Sequence, residues 1–159
     1  MATRLLNENE RIAWIRLALV AQGMPALLDA QLRADSAITH FEYLVLNFLD
    51  GPEGPSVPMT RLAELTSGSL SRLSHVVARL ETAGYATRSR STDDGRVTVA
   101  TITPAGKEVF RAAAPGHVAN IRRLVFDHLD PEDVVTLGAI MAKIVPSVDP
   151  HGTLGPLAR

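Results

Sequence analysis

The sequence predicts a mainly α-helical chain with one small β-hairpin, an α+β fold, and three features predict it. Apolar residues recur at three- and four-residue spacing along most of the 159 positions, the pattern of helices that bury one face. A single stretch, "YATRSRSTDDGRVTVATIT", instead alternates every second residue around a charged turn, as paired strands do. Helix-start signals stand between the periodic segments: "THFE", "SLSR", "TPAG" and "DPED" each place a capping Ser, Thr or Asp before a helical run.

Residues 8–34 read as the first helix, with Ile12, Ile15, Leu19, Met24, Leu27, Leu28 and Leu32 as its apolar positions. Pro25 removes a backbone donor, so a kink or break near Gly23 is expected. The capping box Thr39 to Glu42 opens a second helix that Gly51 stops, and the prolines of "GPEGPSVP" call for an irregular connection. "MTRLAELT" and "LSRLSHVVARLETAG" follow as two short helices joined by "SGS". Leu62 and Leu65 of the first face Leu70, Leu73, Val77 and Leu80 of the second, and Gly84 ends it. Length, turn chemistry and periodicity make this a helix-turn-helix. The hairpin comes next, its turn supplied by Asp and Gly. Thr103 and Pro104 then suit N-cap and N1 of a long helix to about Leu129, bent at Pro115. "DPED" starts a last helix that should end before Pro146, and residues 147–159 read as a loose tail.

A helix-turn-helix followed at once by an Arg-bearing hairpin is the winged-helix order. The flanking helices carry more apolar surface than one such unit can cover, which points to a second copy of the chain. The division is therefore residues 1–50 for N-terminal helices shared between dimerisation and the start of the DNA-binding region, 51–103 for the winged helix-turn-helix, 104–146 for C-terminal dimerisation helices, and the tail.

Composition narrows the function. Hydrophobic residues are 46% and charged residues 21%, as in ordinary globular proteins. With no cysteine there is no thiol nucleophile, thiolate metal site or disulfide. The longest apolar candidate, "WIRLALVAQGMPALL", carries Arg16 and Gln22 and falls short of the ~18 residues a bilayer span needs, so a cytoplasmic protein without a membrane partner is expected. The net charge of -1 hides an asymmetry. Residues 1–58 hold four Arg against seven acids, residues 59–111 eight Lys/Arg against five acids, and residues 112–159 four against five. The positive block is the helix-turn-helix and hairpin, and it is nearly all arginine, whose planar fork matches phosphates and base edges.

The segment "LAELTSGSLSRLSHVVARLETAGYATRSRSTDDGRVTVATITPAG" resembles the DNA-binding core of the MarR family of bacterial transcriptional regulators. The family's Asp-x-Arg followed by Leu-Thr-x-x-Gly corresponds to Asp94, Gly95 and Arg96, then Ile102, Thr103 and Gly106. Ile102 replaces the usual Leu, and Gly95 stands where many members carry another Arg. The resemblance extends from about residue 8 to residue 145. It implies a homodimer, most often a repressor, released from promoter DNA when a small aromatic or phenolic effector binds between the two regions. It also places Trp14, Phe41, Tyr43 and Leu44 on the helices bordering the effector cavity, with ordinary core packing as the competing reading.

The residues suggest how DNA would be read. With the second helix of the pair in a major groove, Ser69, Ser71, Arg72, His75 and Arg79 form its polar face. Ser69 is the expected N-cap, Arg72 can fork onto a guanine, and Arg79 lies where it would meet the DNA backbone. Alternation puts Arg88 and Arg90 on one side of the hairpin, along a phosphate backbone, and Arg96 at the tip can enter a minor groove. Asp94, repelled by DNA, would orient the wing by pairing with an arginine or capping the turn. A two-fold dimer should prefer an inverted repeat in double-stranded DNA with half-sites ~10 bp apart.

Rival classes are weaker. A winged helix serving only as a protein-interaction module does not account for the arginine-lined hairpin. An enzyme has less support still, because His40, His75, His117, His128 and His151 form no metal-ligand or catalytic spacing and read as surface or interface residues. No phosphate loop or nucleophile elbow occurs, and no metal or cofactor is expected.

Overall fold

A computed structural model describes residues 4–52 and 54–149. Six α-helices and three strands follow in the order α1 (Glu8–Ser36), α2 (His40–Leu49), β1 (Ser56–Pro58), α3 (Met59–Leu65), α4 (Leu70–Thr82), β2 (Ala86–Arg90), β3 (Thr98–Ile102), α5 (Pro104–Leu124) and α6 (Pro131–Val148). The α+β class and the winged helix-turn-helix order are those the sequence predicts. Helix starts follow the predicted caps: Thr39 with Glu42, Ser69, Thr103 with Pro104, and Asp130 with Asp133 each supply the side-chain hydrogen bond that the first turn lacks.

Five details differ from the sequence reading. First, of the kink or break expected near Gly23 the break does not form: α1 continues through Gly23 and Pro25 for 29 residues, because one missing amide donor costs less than losing the packing of Leu28 and Leu32. Continuity gives it an 18-residue window of mean hydropathy 1.3, so by length and composition it is apolar enough to cross a membrane, contrary to the expectation of no such run. Second, the connection after α2 is not wholly irregular. Ser56, Val57 and Pro58 pair antiparallel with Thr101, Ala100 and Val99, making a three-stranded sheet of order β1-β3-β2. An edge strand tolerates Pro58 because a missing amide there breaks no central ladder.

Third, α5 stops at Leu124, where Val125 leaves helical geometry and a 3-10 turn Phe126–His128 follows. Fourth, α6 passes Pro146 and ends at Val148, with the Asp149 amide still closing on the Val145 carbonyl at 2.8 Å. Fifth, Leu70 is exposed at the start of α4, and the buried stripe is Leu73, Val76, Val77 and Leu80. The proposed tail from residue 150 onward, with His151, lies outside the described residues.

The core sits between α2, α3, α4 and the sheet, where Val45, Leu46, Leu49, Val57, Leu62, Leu73, Val77 and Leu80 are essentially inaccessible to solvent. The hairpin is joined to it by a tight seam. Thr103 donates its amide to the Tyr85 carbonyl (3.0 Å) and its hydroxyl to the Gly84 carbonyl (2.7 Å), and the Gly106 amide donates to the Thr103 hydroxyl (3.0 Å). A Cβ on Gly106 would lie 2.0 Å from the Tyr85 oxygen. Only glycine fits, so the Thr-x-x-Gly of the sequence is the joint that fixes the wing to the long helix.

The rest of the helical surface is uncovered. None of the 18 residues of α6 is buried, and Val135, Ile140 and Ile144 are exposed, as are Ile15, Leu19, Val20 and Leu27 of α1.

Candidate nucleic-acid interface

Helix α4 and the β2–β3 hairpin carry the cationic surface. Ser69 caps α4 by accepting from the Arg72 amide at 3.2 Å, and Ser71, Arg72 and His75 are exposed beyond it. Arg72 lies with its guanidinium carbon 4.1 Å from the centre of the Phe41 ring, a cation–π stack between α4 and α2.

Arg79 and Arg88, named as DNA contacts, also pair with carboxylates of the chain itself. Arg79 bonds to Glu42 at 3.0 Å, although Glu42 is buried and its other oxygen accepts from the Thr39 amide and hydroxyl. One carboxylate thus caps α2 and holds α4 to it. Arg88 reaches Glu81 of α4 at 2.6 Å through Nη2 and 2.8 Å through Nε, adds its backbone amide at 2.8 Å, and donates to the Ser74 hydroxyl at 3.3 Å. The Arg88 guanidinium beside Glu81 holds that carboxyl below the usual range. Alternation explains why. Ala86 is buried, so Arg88, two residues on, shares the face of β2 that packs against α4. The strand parity was legible in the sequence, but the neighbour it points toward was not.

The wing tip has its own network. Asp94 Oδ1 accepts from the Arg96 amide at 2.9 Å, the Asp94 carbonyl accepts from Val97, and the Ser91 hydroxyl accepts from the Asp93 amide at 3.2 Å. Arg90 donates to the Arg96 carbonyl at 3.2 Å. Of the two alternatives for Asp94, the turn cap is the one formed. Gly95 has no left-handed backbone and a Cβ there would meet nothing within 4 Å, so side-chain caps rather than glycine shape this turn. The Arg96 side chain has no partner among the described residues and is exposed.

Of the four residues named for a ligand cavity, Phe41 lines the cavity between α1, α2 and α4. That cavity, of about 440 Å³, is walled by Phe41 together with Asp29, Arg33, His40, Arg72 and Arg79. Trp14, Tyr43 and Leu44 do not line it. Trp14 is exposed on α1, and Tyr43, about 200° around α2 from Phe41, faces the other way and packs on Phe110 (5.0 Å) and His117 (4.3 Å). His117, expected at a surface or interface, is in fact buried within the chain, its ring 5.6 Å from that of His40. Desolvation pushes the pKa of both imidazoles below the ordinary value, and for His117 the nearby His40 adds to it. Asp29 lies below its usual range because Arg33 bonds it at 2.6 Å.

No family model matches the chain. The solved structure of Sco3205, a MarR family transcriptional regulator of Streptomyces coelicolor in complex with DNA, is 37% identical, with a TM-score of 0.86 and 94% of each chain covered. AbsC, another MarR family regulator of Streptomyces coelicolor, is 34% identical with a TM-score of 0.85, covering 94% of this chain and 100% of that one. The HTH-type transcriptional regulator YfiV of Bacillus subtilis is 29% identical over 139 residues, 82% of either chain.

Proposed function

The chain belongs to the MarR family of transcriptional regulators, and from that premise we propose that this DNA-binding regulator works as a homodimeric repressor, in the cytoplasm, released by a small effector. The observation that carries the DNA reading is α4: a helix capped by Ser69, buried along one stripe, with Ser71, Arg72 and His75 exposed on its leading end. In a major groove Arg72 would meet base edges, Arg90 the phosphates and Arg96 the minor groove. Arg79 and Arg88 serve the interface by bracing α4 against α2 and β2. On this division residues 51–103 read DNA, while residues 104–146 and the N-terminal helix hold the dimer.

Dimerisation is supported by α6, which buries nothing within its own chain, and by the exposed apolar residues of α1. A second copy covering them accounts for the apolar length of α1 without a membrane. The effector reading is supported by the cavity behind α4, since an occupant contacting Arg72 or Arg79 would bear directly on the reading helix.

Selection of genomic fragments with the purified protein, followed by titration of the recovered duplex, tests the DNA function. Affinity should fall steeply between 50 and 200 mM salt, by roughly 10³-fold or more if six or so phosphates are contacted. An inverted repeat is expected in the selected sequence. Recovery of no sequence preference, or salt-insensitive binding, would reject the reading.

A further inference from the structure

Three arginines project from the reading helix and its wing toward neighbouring elements, and they are held in two different ways. Arg79 and Arg88 are held by carboxylates, Arg79 through one nitrogen on Glu42 and Arg88 through two on Glu81. Arg72 is held over an aromatic ring, its guanidinium carbon 4.1 Å from the centre of Phe41. A cation–π contact is made to the charge of the guanidinium, so it restrains the group without a carboxylate taking up its N–H donors. Arg72 alone of the three is placed without a carboxylate partner among the described residues.

Phe41 is itself tightly placed. A Cβ on Gly68, in the turn before α4, would lie 2.8 Å from the Phe41 Cζ and 3.3 Å from Cε2, so the ring edge occupies the space that glycine leaves. The ring is therefore fixed from the turn on one side and offers its face to α4 on the other. Arg72 also needs such a support, because it stands in the first turn of α4, where the positive end of the helix repels a cation. The negative face of an aromatic ring offsets that repulsion without competing for the donors.

We propose that Phe41 is a positioning residue for DNA reading: seated in the notch at Gly68, it holds the Arg72 guanidinium over its ring, and base discrimination by α4 depends on it although Phe41 itself touches no DNA. This rests on the reading of Arg72 as a base contact. A flexible Arg must be ordered on binding, whereas a stacked one is ordered beforehand, and the gain appears as specific affinity.

A double-mutant cycle with the full-length protein separates the two claims. The probes are the duplex selected from genomic fragments and a scrambled duplex of the same composition. Arg72→Ala should weaken the selected duplex by roughly 10-fold or more and the scrambled one much less. Phe41→Leu should cost roughly two- to fivefold on the selected duplex only, and nothing further in the Arg72→Ala background. Phe41→Met serves in place of Leu if that variant does not fold. Equal loss from Phe41→Leu with and without Arg72 would overturn the inference while leaving Arg72 as a contact. An Arg72→Ala protein that still discriminates would remove the underlying reading and the inference with it.

Discussion

Asp94 and Gly95 sit side by side at the wing tip and contribute in opposite ways. Asp94 holds the turn through the Arg96 amide and carries a charge that DNA repels, so its value is geometric. Asp94→Ala should lower affinity for the selected duplex roughly fivefold, on the order of 1 kcal/mol, with little change in melting temperature because the bond is solvent-exposed. Fluorescence anisotropy and a thermal melt on the same sample check both halves. Gly95 is dispensable to the turn, having neither a left-handed φ nor a close neighbour. Gly95→Arg should therefore fold as the parent does and bind DNA more tightly at low salt, steepening the dependence of log Kd on log salt by about 0.9 for one added phosphate contact. An unchanged slope would put this position off the DNA.

Where elements meet, paired groups matter more than single ones. The Arg88–Glu81 bridge ties the hairpin to α4, and its two charges should be exchangeable if that is its task. Glu81→Arg or Arg88→Glu alone should each lose DNA affinity, and the double exchange should recover most of it. If Arg88 gripped phosphate, Glu at position 88 would repel DNA in either background and no recovery would be seen. At the junction of α1, α2 and α5, burial disfavours the charged forms of His40 and His117. Their folded pKa values lie below the ordinary 6.5, so the unfolded chain binds more protons as pH falls past that point. Their contribution to stability is whole above about pH 7 and is lost as pH drops below about 6.5 toward the lowered values. Melting temperature measured from pH 8 to pH 5 should fall on the acid side, and His117→Gln should flatten that fall.

On the scale of the whole molecule, the surface left bare decides the assembly. α6 with no buried residue and α1 with a string of exposed apolar side chains do not pay for the entropy of ordering two long helices in a lone chain. Association of two copies should make the melting temperature rise with protein concentration, and light scattering should give twice the chain mass. A concentration-independent melt at the mass of one chain would leave those faces to another partner.

The local chemistry of the chain determined by itself where most helices start and where the hairpin turns. Capping side chains bond within three residues of themselves, so "THFE", "TPAG" and "DPED" announce their helices without reference to anything distant. Alternation around "STDDG" likewise disclosed the hairpin, and the Asp-x-Arg with Thr-x-x-Gly carried the resemblance to the family. What the tertiary structure alone decided is which partner each projecting charge meets. Strand parity sends Arg88 to one side, but only packing shows that Glu81 is there; helical phase separates Phe41 from Tyr43, but only packing puts Phe41 beneath Arg72. The strand Ser56–Pro58 was hidden for the same reason, since an edge strand of three residues exists only because β3 is beside it. Hydrogen bonds closed within one turn are written in neighbouring residues. Those closed across tens of residues depend on a fold that no short window contains.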